Sequence, residues 1–143
     1  MGIDSIQRTL AIIKPDACAN NLCGKIIGRV EQEGLSIIGM KLLHISSEQA
    51  AQFYKIHRGK PFFDDLINFM SSGKIIVLAL EADDCINRWR KLMGATDPEK
   101  ADEGTIRKQY GTAVNRNACH GSDAVETAET ELKFFFSSYE LVS

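Results

Sequence analysis

The chain has 143 residues, 44% of them hydrophobic, and a formal net charge of -2. This length predicts one domain, residues 1–143, because a chain of about 150 residues buries roughly two-thirds of its unfolded surface in a single core. The slightly negative charge argues against nucleic acid as the main partner. No apolar run approaches the roughly 20 residues that span a bilayer, so we expect no membrane partner.

We expect neither a secretory signal nor a lipid anchor at the N-terminus. The apolar run at residues 10–13 is too short for a secretory signal and ends at Lys14-Pro15. Met1-Gly2 suits myristoylation, but Ser5 stands one place before the position where that motif needs Ser or Thr. The four cysteines lack the dense spacing of a disulfide framework, so we expect reduced thiols and a cytoplasmic protein.

The first half of the chain is predicted to alternate strands and helices. In order, the pattern predicts a strand at residues 9–14 ended by Pro15, a loop at 16–22, a helix at 23–33 closed by Gly34, and a strand at 35–45. Ser46 and Gln49 have capping-box spacing, so a helix should begin there and continue through His57. Pro61 suits the first turn of a second helix, which forms a hairpin with the first.

The second half begins with a continuous apolar run at 75–80, which predicts a central strand buried on both faces. Asp83 or Asp84 should cap a helix that follows it. A long connection at 94–111 should contain a short helix begun by Asp97-Pro98, and a last helix should start near Asp123. This order predicts an α+β fold: a ferredoxin-like sandwich with a four-stranded, mostly antiparallel sheet covered by helices.

The usual nucleotide-binding motifs are absent from the sequence. Residues 34–41 approach a Walker A loop, but Met40 stands where that motif needs Lys, and no GxGxxG precedes a helix. Any nucleotide must therefore be held by separate side chains. Lys14, Arg90 and Arg107 each lie beside a structural break and could surround one polyphosphate, although any single one of them is more often a surface charge.

One histidine has the flanks of a reactive side chain. His120 lies among small residues, and Gly121 and Ser122 are expected to leave room for a bulky anionic group. The flanks alone are equally compatible with a structural histidine. His44 and His57 fit structural roles better, and a zinc site with Cys18, Cys23, Cys119 and His120 is disfavoured because adjacent strand residues point to opposite faces.

Five separated segments carry a resemblance to a known family. They are TLAIIKPD at 9–16, GKPFF at 59–63, LMGATDP at 92–98, GTIR at 104–107 and NACHGSD at 117–123. In this order they make the chain resemble nucleoside diphosphate kinases nearly end to end. The resemblance implies reversible transfer of the γ-phosphate from nucleoside triphosphates to diphosphates by a ping-pong mechanism.

The resemblance also implies roles for individual residues. His120 would form a phosphohistidine, and Glu131 would orient its imidazole. Residues implied to surround the phosphates are Lys14, Tyr54, Arg90, Thr96 and Arg107, with Asn117 and Lys14 at the sugar and Phe62 and Val114 on the two sides of the base. Mg²⁺ would enter on the nucleotide phosphates without a protein cage. Dimers would assemble into a homo-oligomer, either a tetramer or a hexamer.

Few residues depart from the family pattern. Ala124, Cys119 and Glu103 differ from residues often found at their positions, and none removes an implied ligand. Cys119 would be inert if buried. Two alternative functions are a nucleotide-binding module without turnover and a histidine phosphocarrier that receives its phosphate from a protein kinase. The presence of His120 with Glu131 argues against the first, and Phe62 would be unnecessary in the second.

Overall fold

The computed structural model describes residues 6–143 and contains one antiparallel sheet of four strands. The strands are β1 (Ile6–Ile13), β2 (Ser36–Leu43), β3 (Ile75–Asp83) and β4 (Cys119–Gly121), and they lie in the order β2-β3-β1-β4. Each neighbouring pair is antiparallel. The sheet and its helices confirm the predicted α+β class. The myristoylation motif at Met1-Gly2 lies outside the described residues.

Seven α-helices occur in the described part of the chain: α1 (Pro15–Ala19), α2 (Cys23–Gln32), α3 (Ser47–Phe53), α4 (Phe63–Met70), α5 (Cys85–Met93), α6 (Ile106–Tyr110) and α7 (Val125–Phe135). Short 3-10 turns lie at Lys55–His57, Pro98–Lys100 and Ser138–Glu140. Within residues 6–143, no helix combines the length and the apolar character needed to cross a bilayer.

The predicted loop at 16–22 is wrong in its first half. Pro15 occupies the first helical position of α1, where its missing N–H costs nothing, and Asp16 lies in the same turn. The placement of Pro61 is also wrong, because α4 begins only at Phe63, after Phe62 as its N-cap. The sequence pattern missed α6 altogether, since a five-residue helix has too few apolar repeats to be recognised.

The capping box at Ser46 is confirmed. The Ser46 hydroxyl accepts from the Gln49 amide at 3.1 Å, and the Ser46 amide donates to the Gln49 side chain at 2.9 Å. The α-helix that it starts is shorter than predicted, because Tyr54 ends it and a 3-10 turn follows. The short helix after Asp97 is confirmed as the 3-10 turn Pro98–Lys100.

β1 is buried on both of its faces. Leu10 and Ile12 contribute to a core with α3, α4 and α7, whereas Ala11 and Ile13 contribute to a second core with α2, α5 and α6. All four side chains are fully buried. Burial of a large aliphatic side chain contributes roughly 1.5–3 kcal/mol, so the two cores hold β1 rigidly between them. The end of β1 therefore provides a fixed base for the residues that follow it.

Candidate active site

His120 lies in the middle of β4, opposite Ile12 of β1. Its Nε2 atom is 2.9 Å from Oε1 of Glu131 on α7, and both side chains are mostly buried. The indole Nε1 of Trp89 donates to the backbone carbonyl of His120 at 3.2 Å. Sheet pairing, the indole and the carboxylate therefore hold this histidine in one orientation.

A chain of hydrogen bonds runs from β1 to the imidazole. The Leu10 amide donates to the Ser122 hydroxyl at 3.3 Å, and that hydroxyl donates to Oε1 of Glu131 at 2.8 Å. Because a carboxylate only accepts hydrogen bonds, Nε2 of His120 is the donor, and Nδ1 of the neutral ring keeps a free lone pair. Nε2 of His120 is thus held by Glu131, whereas Nδ1 is available to a ligand.

The expectation that Gly121 and Ser122 leave room for an anionic group is wrong. A Cβ atom built on Gly121 would lie 2.6 Å from Trp89 and Met93, so its missing side chain makes room for the indole. Ser122 is buried and its hydroxyl is engaged with Glu131. Gly121 therefore lets β4 pack closely on α5, and Ser122 ties the end of β4 to α7.

Two aromatic rings lie beside the imidazole. The ring centroids of Phe53 and Tyr54 are 5.6 Å and 6.0 Å from that of His120, and each ring forms a T-shaped, edge-on pair with the imidazole. The Tyr54 hydroxyl is buried and has no hydrogen-bond partner among the described residues. Burial raises the pKa of Tyr54, so this hydroxyl keeps its proton and can donate it to a ligand oxygen.

Lys14, Thr96 and Asn117 belong to one hydrogen-bond network. Nζ of Lys14 donates to Oδ1 of Asn117 at 2.8 Å, and Nδ2 of Asn117 donates to the Thr96 carbonyl at 3.0 Å. Lys14 and Asn117 are buried, whereas Thr96 is exposed. The network joins the end of β1 to the segment before His120.

Arg107 lies directly behind the histidine segment. Its guanidinium donates to the carbonyls of Gly94 at 3.0 Å and Cys119 at 2.9 Å, and its buried Nε has no partner in the described chain. Burial lowers the pKa of Arg107, and the nearby charge of Arg90 lowers it further. Arg90 itself is exposed on α5.

The structure brings the three predicted cations together. Burial, followed by the charge of Arg107, lowers the pKa of Lys14 from 10.5 to about 8. Since this folded-state pKa is depressed, charged Lys14 costs stability below about pH 8, and the cost disappears as pH rises toward 10.5. Within residues 6–143, neither Lys14 nor Arg90 nor Arg107 forms an ion pair with a carboxylate. Such clustered, unpaired cations favour an anionic ligand.

Phe62 and Val114 are exposed apolar side chains on neighbouring segments. Phe62 is 49% exposed, Val114 is 55% exposed, and Phe63 instead packs against the core. The segment that carries Val114 is tied to α4, because the side chain of the following residue, Asn115, donates to Asp65 at 3.2 Å. Both side chains are free to contact a flat apolar group.

The similarity to known proteins covers almost the whole chain. The model of the family described as nucleoside diphosphate kinase matches residues 7–141. The nucleoside diphosphate kinase of Syntrophotalea carbinolica is 56% identical, across 96% of this chain and 100% of that protein. For that of Persephonella marina the identity is 51%, across 96% and 99%. The chain belongs to the nucleoside diphosphate kinase family.

Solved structures confirm the ferredoxin-like arrangement of the kinase. The nucleoside diphosphate kinase of Aquifex aeolicus has a TM-score of 0.94 at 44% identity, covering 96% of this chain and 99% of that one. The enzyme of Halobacterium salinarum, solved in complex with CDP, has a TM-score of 0.92 at 40% identity, covering 96% and 91%. The kinase transfers the γ-phosphate reversibly between nucleoside triphosphates and diphosphates.

Sequence reasoning gave Asp16 of the kinase no role. Its Oδ2 accepts from the Ala118 amide at 3.0 Å, and the Lys14 amide donates to the Ala118 carbonyl at 2.9 Å. Ala118 has φ +75°, a region that strains residues with a side chain. The start of α1 therefore holds a strained residue two positions before His120. The signal available in the sequence was an acidic residue directly after the Lys14-Pro15 break.

His57 lies closer to the site than its predicted structural role suggested. Its ring centroid is 6.2 Å from that of Tyr54 and 5.4 Å from that of Phe62. Burial lowers its pKa, and so do the charges of Lys60 and His120. His44, in contrast, contacts the Ser71 carbonyl away from these residues.

Cys119 is fully buried beside His120. Burial raises the pKa of this thiol to about 11, which favours the protonated form over the reactive thiolate.

We predict that Asp16→Ala slows phosphate transfer without weakening nucleotide binding to the same degree. Loss of the acceptor releases the Ala118 turn and misplaces His120, which lowers kcat by roughly 10- to 100-fold. Asp16→Asn, which keeps an acceptor oxygen, should recover most of this rate. Ala118→Gly should partly rescue Asp16→Ala, since glycine adopts positive φ without strain. Steady-state kinetics of the four proteins test the prediction, and an equal loss in Asp16→Ala and Asp16→Asn would contradict it.

Proposed function

We propose that His120 carries the phosphate between the two nucleotides as a phosphohistidine formed at Nδ1. The bond between Nε2 and Glu131 supports this proposal, because it leaves Nδ1 as the free nitrogen. Nδ1 attacks the γ-phosphorus while the bond to the leaving nucleoside diphosphate breaks. A terminal oxygen of the acceptor diphosphate then attacks the phosphohistidine, and the imidazole is regenerated. Glu131 stabilises the positive charge that develops on the ring during attack.

We propose that Lys14, Tyr54, Arg90, Thr96 and Arg107 hold the nucleotide phosphates. Phosphoryl transfer proceeds through a loose transition state with charge on the equatorial oxygens, so cations placed there stabilise it. Lys14 and Arg107 support this assignment because, within residues 6–143, neither forms an ion pair with a carboxylate. The negative charge of the phosphates would offset the repulsion between Lys14 and Arg107 in the free protein.

We propose that Phe62 and Val114 lie on the two faces of the base, and that Asn117 and Lys14 bind the sugar. Stacking contacts the π-face that every base has, so broad specificity among bases is expected. The exposure of Phe62 next to a core-facing Phe63 supports this role. The Halobacterium salinarum relative was solved in complex with CDP, which carries a pyrimidine base.

We propose that Mg²⁺ arrives as part of the nucleotide substrate. The described residues contain no group of three or more His, Cys, Asp or Glu side chains arranged to hold a metal. Phosphate oxygens are ligands that Mg²⁺ prefers, so the substrate can supply them. When bound, the ion neutralises phosphate charge, and Lys14 and Arg107 do the same from the protein side.

We propose a single domain, residues 1–143, in a cytoplasmic homo-oligomer built from dimers. The outer strand β2 supports association, because Met40 and Leu42 expose 58% and 63% of their surface there. The cysteines among the described residues are all free thiols, which suits a reducing compartment. The mass of the native protein in solution distinguishes a tetramer from a hexamer.

The phosphohistidine is tested with γ-labelled ATP and Mg²⁺ followed by a chase with GDP. The native protein should acquire an acid-labile label and discharge it to GTP, and His120→Ala should do neither. His44→Ala is a matched control that should behave as the native protein, since His44 is exposed and its ring bonds to the Ser71 carbonyl.

The same assay separates two other functions for the fold. Nucleotide binding without any label would indicate a binding module without turnover. Label that appears only with an added protein kinase would indicate a phosphocarrier. Either result, or equal labelling of His120→Ala, would refute the proposal.

We predict that loss of the proton from Lys14 lowers kcat/KM at alkaline pH. Because the pKa of Lys14 is about 8 in the free protein, raising the pH through this value removes one phosphate cation. The ratio kcat/KM, which reports the free enzyme, should fall by roughly tenfold per pH unit above about pH 8. The kcat value should fall less, because bound phosphate favours the charged lysine.

Lys14→Arg supplies the control for this pH profile. Arginine keeps its charge throughout the range, so the decline of kcat/KM above about pH 8 should disappear even if the absolute rate is lower. A decline that persists unchanged in Lys14→Arg would assign the titration to another group.

A further inference from the structure

The two walls of the proposed base slot, which is the space between Phe62 and Val114, belong to different segments of the chain. Phe62 is the N-cap of α4, and Val114 lies in a tight turn at residues 112–116. In that turn the Arg116 amide donates to the Ala113 carbonyl at 3.0 Å, and the Ala113 amide donates to the Arg116 carbonyl at 3.3 Å. These bonds shape the turn but do not fix where it lies relative to α4.

The side chain of Arg116 joins this turn to α4. Its guanidinium carbon lies 3.9 Å from the centroid of the Phe69 ring, and its Nη1 atom lies 3.6 Å from Oδ2 of Asp65. Asp65 and Phe69 are four residues apart in α4, so they share one face of the helix. Arg116 therefore contacts two successive turns of the helix that begins after Phe62.

Two hydrogen bonds complete this contact. Nη1 of Arg116 donates to the Asn115 carbonyl at 2.7 Å, and the Asn115 side chain donates to Oδ2 of Asp65 at 3.2 Å. Phe69 is buried, whereas Asp65 is exposed. Because an exposed ion pair contributes little alone, the guanidinium stacked on the buried ring is the stronger part of the contact. Together, these bonds and the stacking form the Arg116 clamp.

We propose that Arg116 is a positioning residue that sets the spacing between Val114 and Phe62, and with it the affinity for the nucleoside part of the substrate. This inference rests on the proposed base slot. With the turn held on α4, the free protein presents both walls at a fixed separation, so the substrate does not have to order the turn. The next residue, Asn117, accepts from Lys14, so the clamp also steadies a proposed sugar contact.

The positive charge of Arg116 offers a competing role, which is direct attraction of the phosphates. Burial and then the charge of Arg107 are the main causes of the lowered pKa of Lys14, and the charge of Arg116 contributes least. The carboxylate of Asp65 also offsets part of the charge on Arg116. A positioning role therefore predicts an effect on binding of the nucleoside, whereas a charge role predicts an effect on binding of the phosphates.

Calorimetric titration with ADP and with inorganic tripolyphosphate separates these roles, since only ADP carries a nucleoside. Arg116→Gln should bind ADP roughly tenfold more weakly, because the nucleotide must then order the turn itself. Its affinity for tripolyphosphate should change by less than about twofold, because an exposed, paired charge contributes little. In steady-state kinetics the KM for the nucleoside diphosphate should rise more than kcat falls.

Three further variants sharpen the test. Arg116→Lys keeps the charge but loses the planar group that stacks on Phe69, so it should recover only part of the ADP affinity. Asp65→Ala perturbs the clamp from the exposed side of α4 and should weaken ADP binding even if Arg116→Gln folds poorly. Arg8→Gln is the matched control, because it removes an ion pair with Glu81 near the start of β1 and should leave both affinities unchanged.

Several results would overturn the inference. They are equal weakening of ADP and tripolyphosphate in Arg116→Gln, full recovery in Arg116→Lys, unchanged ADP affinity in Arg116→Gln and Asp65→Ala, or the same loss in Arg8→Gln. Phe62→Ala distinguishes failure of the clamp from failure of the base slot. Weaker ADP binding in Phe62→Ala but not in Arg116→Gln rejects the clamp alone, whereas unchanged ADP binding in Phe62→Ala rejects the slot and the clamp together.

Discussion

The pairing of β4 with β1 is the contact on which the site depends. β4 has only three residues, and its register with β1 places His120 opposite Ile12. Because β1 is buried between two cores, it provides a rigid partner for a strand too short to be stable alone. β1 ends at Ile13, and the amide of the next residue, Lys14, donates to the Ala118 carbonyl. His120 and Lys14 are therefore both supported by β1.

Two buried cations near the segment that carries His120 are unfavourable in the free protein. Lys14 and Arg107 are both buried, they repel each other, and neither has a carboxylate partner within residues 6–143. Burial of like charges is unfavourable unless an anion enters. In the proposed role a polyphosphate supplies that anion, and its binding would relieve an unfavourable arrangement that the two cores tolerate. The buried cations that the proposed function requires therefore lower the stability of the free protein.

The sequence predicted most of the architecture and much of the grouping of the site. Apolar periodicity identified the strands and the longer helices. The motif segments included Lys14 and Arg107, which bond to the backbone directly before His120. Short elements were missed, because α1 and α6 have five residues each and present no periodic face. The first helix of the predicted hairpin ends earlier than expected, because a 3-10 turn follows Tyr54 in place of further α-helix.

Contacts that depend on close approach could not be predicted from residue types. Gly121 looked like space for a ligand, whereas its missing side chain accommodates Trp89. Asp16 looked like a loop residue, whereas it accepts from an amide 102 positions later in the chain. Local patterns carry no information on such distant pairs, so these roles become visible only when β1 and β4 are placed side by side.

The central claim is that Glu131 anchors Nε2 of His120 and leaves Nδ1 to accept the phosphate. Nitrogen and phosphorus NMR of the protein phosphorylated with ATP and Mg²⁺ tests it most directly, since the two phosphohistidine isomers differ in their chemical shifts and in their N–P coupling. We expect phosphate on Nδ1 and a proton on Nε2. Phosphate on Nε2 would contradict it, because that atom is the one held by the carboxylate.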